Sequence, residues 1–195
     1  MEITLARASL YNFLAATFGD PPTAELITTV AEMMPDVELS PLGELHRAYT
    51  RLFVGPGAGY VPPYASVSLD QPVNGKQQLW GPEATAVEAR YREAGLEVAP
   101  GQPRVPDHLA LELQFMQHLC TREADADMRG DAVEAAQWRE RQQTFLRDHL
   151  WPWLPRFVAR LSQVEAHPMY RALADFALAF IESEITHPEG TQSSG

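Results

Sequence analysis

Cysteine, basic side chains and long apolar runs are all scarce in this sequence of 195 residues. The single cysteine, Cys120, excludes an internal disulfide and any metal site built on several cysteines. Only 15 Lys and Arg stand against 26 Asp and Glu, giving a formal net charge of −11. A nucleic-acid binder or a protein on an anionic membrane needs a basic face instead. The longest apolar stretch, 172–181, is interrupted by Asp175 and is shorter than the ~18 residues of a membrane span. We therefore expect no nucleic-acid partner and no membrane insertion.

The first residues also lack the pattern of a secretory signal. Met1 is followed by Glu2, and the first basic residue, Arg7, lies within the apolar stretch. A secretory signal carries its basic residues ahead of that stretch. Together with the single cysteine, this pattern predicts a protein of the reducing cytoplasm.

Apolar residues recur at helical spacing through most of the chain, and no pair of strand-like segments is present. Capping and helix-breaking residues divide the pattern into seven or eight helices, with Ser40 and Asp131 as predicted caps of the third and sixth. The sequence thus predicts a single-domain all-α bundle over residues 1–190 and a flexible tail at 191–195. The predicted helices cover residues 3–18, 23–34, 41 to about 54, 82–94, 106–122, 131 to about 149, 153–161 and 168–181.

One long segment, 55–80, does not follow the helical spacing. It contains Gly-Pro-Gly-Ala-Gly at 55–59 and Val-Pro-Pro-Tyr at 61–64. Long ordered loops are uncommon in compact domains and are often functional. Because the second motif is too apolar for free solvent, we expect this loop to pack over the third and fifth predicted helices.

Side chains that could carry chemistry begin the fifth predicted helix. His108 and Glu112 lie one turn apart, a spacing that can supply two metal ligands, with Asp107 or His118 as a third. However, His118 points about 80° away from His108, and the His-Glu-x-x-His pattern is absent. Asp107 could also cap the helix while the other side chains pair locally, or the group could line a binding pocket. The residues alone leave these three interpretations open.

No other motif specifies a reaction. The glycines at 55–59 are not followed by the Lys and helix of a phosphate-binding loop, and no Gly-x-Ser-x-Gly elbow is present. Cys120 is interpreted as a small core residue. The residues by themselves indicate no catalytic site and no cofactor.

Several stretches, taken in order, resemble the TorD/DmsD/NarJ-like family of cytoplasmic chaperones for molybdenum oxidoreductases. Residues 49–56 read Tyr-Thr-Arg-Leu-Phe-Val-Gly-Pro, and residues 62–67 read Pro-Pro-Tyr-Ala-Ser-Val. Pro-Asp-His-Leu at 106–109 is similar to the second signature of the family, while 149–157 and 167–173 are similar to its C-terminal part. The resemblance covers about residues 40–185.

The resemblance implies a system-specific chaperone and not an enzyme. Members of this family bind the twin-arginine signal peptide of an apo-oxidoreductase and hold the apoprotein in the cytoplasm until its molybdopterin cofactor is inserted. Tyr64 stands where relatives close to the dimethyl-sulfoxide-reductase chaperone tend to have Trp. The expected chain is a monomer or a homodimer. The peptide pocket of the family maps onto Tyr49, Leu52, Phe53, Pro63, Tyr64, Ser66, Asp107 and His108.

The chemistry of this chain suits such a partner. A twin-arginine signal has a cationic stretch followed by an apolar stretch, so its receptor needs acidic groups beside an apolar groove. The net charge of −11 and Asp107 supply the first, and Leu52, Phe53 and Tyr64 supply the second. The alternatives are a small helical metalloenzyme that uses His108 and Glu112, or a structural subunit of an oxidoreductase.

Overall fold

The computed structural model describes residues 2–69, 79–97 and 105–187. Every regular element in these ranges is a helix, so the predicted all-α class is confirmed. The predicted tail, 191–195, lies outside the described residues. The helices are α1 (Glu2–Gly19), α2 (Ala24–Met33), α3 (Leu42–Tyr49), α4 (Ala65–Leu69), α5 (Pro82–Glu93), α6 (Leu109–Met128), α7 (Ala132–Phe145), α8 (Leu154–Ser162) and α9 (Pro168–Thr186).

Local side chains cap three helices close to where the sequence places their starts. Thr23 Oγ1 accepts a hydrogen bond from the backbone N–H three residues on at 3.1 Å. Asp131 Oδ1 does the same for α7 at 2.9 Å, and His167 Nδ1 accepts from the N–H two residues on at 3.1 Å to start α9. Such caps satisfy backbone donors that the first turn of a helix leaves unpaired.

The structure corrects two of the predicted helix boundaries. Pro41 occupies the cap position of α3, so the prediction of Ser40 as the cap is wrong; Ser40 Oγ lies 3.1 Å from Nε2 of His167 instead. The fifth predicted helix, which is α6, ends at Met128 and not at Arg122. The extra turns bury Glu123, an acidic residue that interrupts the apolar pattern.

The core lies between α1, α6 and α7. Helix α1 packs along α6, α6 packs against α7, and α8 packs against α9. Tyr11 and Phe18 from α1 and Phe145 from α7 are at most 1% exposed and are among the largest buried side chains. Among the described residues, no helix combines the length and apolarity that crossing a bilayer requires.

A buried ionic cluster joins four helices. The Arg7 guanidinium donates to both carboxylate oxygens of Glu184 at 2.6 to 2.9 Å and to Oε1 of Gln142 at 2.8 Å. The Gln142 amide donates to Glu123, which also accepts from Arg139 at 2.6 Å. Because these residues come from α1, α6, α7 and α9, the cluster fixes both ends of the chain against the middle of the bundle.

A glycine ends the π-helical turn, Thr50–Val54, that extends α3. Gly55 has φ of 39° and ψ of −161°, a conformation open only to glycine, and a Cβ there would lie 2.5 Å from Cγ of Tyr60. We expect Gly55→Ala to cost about 1–3 kcal/mol of stability. Gly57 is the matched control, since a Cβ at Gly57 meets nothing within 4 Å. Equal melting temperatures for Gly55→Ala and Gly57→Ala would contradict this prediction.

Candidate peptide-binding site

The segment that follows α3 returns to the start of α6 and pairs with it. Leu109 N donates to Pro63 O at 2.9 Å, and Ala65 N donates to the backbone oxygen of Asp107 at 3.1 Å. The two backbone segments form one isolated antiparallel bridge, between Tyr64 and His108. Five of the predicted pocket residues are therefore brought together here: Pro63, Tyr64, Ser66, Asp107 and His108.

The same segment corrects the prediction of a loop over 55–80. Residues 65–69 form the short helix α4, and residues 70–78 lie outside the described residues. The described part of the segment contacts the third and fifth predicted helices, as expected. Val61 N donates to Leu52 O of the third at 2.7 Å, and Pro63 O accepts from Leu109 N of the fifth. On the outer side, Arg156 of α8 donates to the backbone oxygen of Ser68 at 3.0 Å.

Asp107 caps α4 and not the helix that it precedes. Its Oδ2 accepts from Ser66 N at 2.6 Å, whereas the cap of α6 is His108, whose Nδ1 accepts from Ala110 N at 3.1 Å. The interpretation of Asp107 as the cap of its own helix is therefore wrong. Asp107 is fully buried, and its Oδ1 has no hydrogen-bond partner among the described residues. Burial raises the pKa of this carboxyl, although hydrogen bonds from Ser66 act in the opposite direction.

His108 is fixed in place by its neighbours. Its ring packs edge-on against Tyr64, with ring centroids 4.9 Å apart and an interplanar angle of 82°. With Nδ1 used to cap α6, the neutral ring carries its proton on Nε2. Over the described ranges, no group of three or more His, Cys, Asp or Glu residues is arranged to hold a metal ion. The metalloenzyme interpretation of His108 and Glu112 therefore has no ligand set in this part of the chain.

Glu112 lies beneath the bridge and is completely buried. Its Oε2 accepts from the indole N–H of Trp153 at 3.1 Å, while its Oε1 has no hydrogen-bond partner in the described part of the chain. Burial raises the pKa of Glu112 well above its usual value; the hydrogen bond from Trp153 lowers it, and the nearby carboxylates of Asp107 and Glu83 raise it further. The hydrogen bond that Glu112 accepts therefore comes from an indole 41 positions further along the chain.

Glu83 is a site residue that sequence reasoning missed. It lies in the first turn of α5, where an acidic residue is ordinary because it complements the helix dipole. In the structure its carboxylate lies 3.0 Å from Nδ1 of His149, and it acts electrostatically on both Asp107 and Glu112. Its position beside two other acids depends on how α5 packs, so no sequence signal could have identified it.

The remaining predicted pocket residues lie in an adjoining aromatic cluster. The ring of Phe53 lies 5.4 Å from that of Tyr49 and 5.4 Å from that of Tyr170, measured between centroids. Tyr49, Leu52 and Phe53 are at most 5% exposed, so in this conformation they pack in the core and do not line an open cleft. Backbone pairing of Val61 with Leu52 connects this cluster to the bridge.

Comparison with known proteins gives three results. A family model described as the nitrate reductase delta subunit matches residues 19–159. The chaperone protein TorD of Vibrio cholerae serotype O1 is 31% identical over 141 residues, and TorD of Psychrobacter sp. is 30% identical over 183 residues. These alignments cover 72% and 89% of this chain. The matched part of this chain spans 60% of the length of the Vibrio protein and 77% of the length of the Psychrobacter protein.

A solved structure has the same fold. The crystal structure assigned to a redox enzyme maturation protein from Archaeoglobus fulgidus superimposes with a TM-score of 0.56. The match covers 90% of this chain and 93% of that one. At 20% sequence identity it supports the helical architecture alone.

Proposed function

Because the chain belongs to the nitrate reductase delta subunit family, we propose that it is a cytoplasmic chaperone for the apoprotein of a molybdenum oxidoreductase. It binds the twin-arginine signal peptide of that client before cofactor insertion and export, and it catalyses no reaction. The observation that carries this proposal is the pair of buried carboxyl groups, Asp107 and Glu112, each with one oxygen that has no hydrogen-bond partner among the described residues.

Unsatisfied carboxyl oxygens are suited to a guanidinium. Leaving a buried acceptor unpaired costs about 1–3 kcal/mol, so a ligand that supplies donors recovers that free energy. Arginine presents five N–H donors in a planar fork that matches a carboxylate. The bridge residues therefore offer the cationic part of a twin-arginine peptide a site that the folded chain leaves incomplete.

The apolar part of the peptide requires the aromatic cluster. Leu52 and Phe53 are at most 5% exposed in this conformation, and Val61 N donates to Leu52 O beside them. Entry of a peptide then requires the segment at 61–69 to move away from α6. The helical part of this segment, α4, is only five residues long.

The test is calorimetric titration with a synthetic twin-arginine signal peptide from a molybdenum oxidoreductase. A peptide with both arginines replaced by lysine is the control, since lysine keeps the charge but lacks the planar fork. The twin-arginine peptide should bind, and the twin-lysine peptide should bind about ten-fold more weakly or worse. Failure of the twin-arginine peptide to bind would overturn the proposal.

Association of the peptide should slow as salt is added. The net charge of −11 attracts a basic peptide over long range, and that attraction is screened beyond about 8 Å at physiological ionic strength. Stopped-flow measurements should therefore show an association rate that falls more than the dissociation rate rises. A peptide with both arginines replaced by glutamine should show little dependence. A flat association rate for the twin-arginine peptide would contradict electrostatic steering.

A permanent subunit of an oxidoreductase is the second candidate, favoured by the description of the family as a nitrate reductase subunit. Purification of the client separates the two functions. A chaperone should co-purify with the apoprotein and be missing from the mature enzyme, whereas a subunit should stay at fixed stoichiometry with both.

A further inference from the structure

We propose that Glu112 is a second acceptor for the arginines of the bound peptide and that it releases a proton when the guanidinium arrives. This inference rests on the proposed function. It extends the site from Asp107, which the resemblance places in the pocket, to a buried side chain of α6 that the resemblance does not include.

The geometry of Glu112 gives the first reason. Its side chain is 0% exposed, Trp153 satisfies only one of its two oxygens, and Oε1 has no partner among the described residues. Buried polar atoms in folded proteins nearly always find a partner, and an exception calls for a specific explanation. A guanidinium bound at Asp107 could extend a second edge toward Oε1, because planar donors on several sides allow one arginine to serve two carboxylates.

The electrostatic surroundings give the second reason. The groups that act on Glu112 are Asp107 from the bridge and Glu83 from α5, with His149 lying against Glu83 at 3.0 Å. Burial, and then the nearby carboxyls of Glu112 and Asp107, raise the pKa of Tyr91, whose hydroxyl donates to Pro106 O at 2.8 Å. Among the described residues, no arginine or lysine acts on the Glu112 carboxyl. This part of the chain therefore supplies no direct counter-charge, which a guanidinium of the peptide would provide.

The surroundings of Glu112 also determine where its proton goes when the peptide binds. Burial, Asp107 and Glu83 favour the protonated form of Glu112 and outweigh the hydrogen bond from Trp153, so the proposal places a proton on Glu112 before the peptide binds. An incoming guanidinium stabilises the carboxylate, so the proton passes to the buffer as the ion pair forms. Binding of the peptide should then become tighter as pH rises through the neutral range.

The experiment measures the number of protons released when the twin-arginine peptide binds, by calorimetry at one pH in buffers of different ionisation enthalpy. The wild type should release protons, and Glu112→Gln should release measurably fewer and bind about ten-fold more weakly. Gln keeps an acceptor for Trp153, so the fold is retained. The control is Glu182→Gln, which removes one negative charge from an exposed residue of α9. This variant should behave as the wild type.

The outcomes separate this inference from the proposed function. If the wild type fails to bind the peptide, both fall. If the wild type binds it and Glu112→Gln matches the wild type in affinity and in protons released, the role of Glu112 is overturned and the chaperone function stands. The wild type alone provides a second check, since affinity that does not rise with pH overturns the proton release without any variant.

Discussion

Asp107→Asn should weaken binding of a twin-arginine peptide about ten-fold or more while leaving the melting temperature at or slightly above that of the wild type. Asn has the same shape, and its side-chain oxygen can still accept from Ser66 N, so α4 keeps its cap. Burial raises the pKa of the Asp107 carboxyl, which means that its charged form is disfavoured by the fold. Removing the charge therefore does not destabilise the protein, while it removes the carboxylate that would pair with an arginine.

The control for this variant is Asp175→Asn. Asp175 is exposed on α9, so the change removes the same single negative charge without touching the bridge. Calorimetry should give wild-type affinity for Asp175→Asn, which separates a local contact from the long-range effect of net charge. If Asp107→Asn binds as tightly as the wild type, Asp107 acts only as the cap of α4. If both variants weaken binding equally, the effect is steering by the whole chain.

Arg7→Met should lower the free energy of unfolding by roughly 3–5 kcal/mol. The substitution leaves the Glu184 carboxylate buried without the guanidinium that donates to both of its oxygens, and it removes a donor to Gln142. For a domain of this size the melting temperature should fall by roughly 10 °C. Arg171→Met is the control, because Arg171 is exposed on α9 and its loss should cost no more than about 0.5 kcal/mol.

A double variant distinguishes an unpaired charge from lost packing. Arg7→Met combined with Glu184→Met replaces both charges by apolar side chains, which is often close to neutral for a buried pair. The double variant should therefore be more stable than Arg7→Met alone when urea denaturation is measured. If the double variant is less stable than the single one, the packing of the Arg7 side chain and not the ion pair accounts for the loss.

Local sequence was enough to predict the helices and part of the site. Thr23, Asp131 and His167 cap backbone N–H groups two or three residues away, so helix starts can be identified from a few neighbouring positions. Apolar spacing predicted where α1, α8 and α9 lie for the same reason. The stretches that resemble the chaperone family also assigned residues 63–66 and 107–108 to one pocket; in the structure these segments lie side by side, and their role in peptide binding stays a prediction.

The partners of the buried polar groups were decided by tertiary structure alone. Asp107 looks like the cap of the helix that follows it, yet it caps α4, whose Ser66 lies 41 positions earlier. Glu112 accepts a hydrogen bond from Trp153, another 41 positions away. A hydrogen bond or ion pair has no period along the chain, so nothing in the sequence distinguishes these partners from other polar residues.

For the charges of the chain, too, the sequence determines one part and the tertiary structure the other. Composition alone established the acidic surplus and the kind of partner that it attracts. Where individual charges lie was fixed by packing: Arg7 and Glu184 meet across 177 positions in the core, and Glu83 joins Asp107 and Glu112 only because α5 lies beside α6. Local propensity extends over one or two helical turns, whereas burial of a charge depends on every helix that covers it.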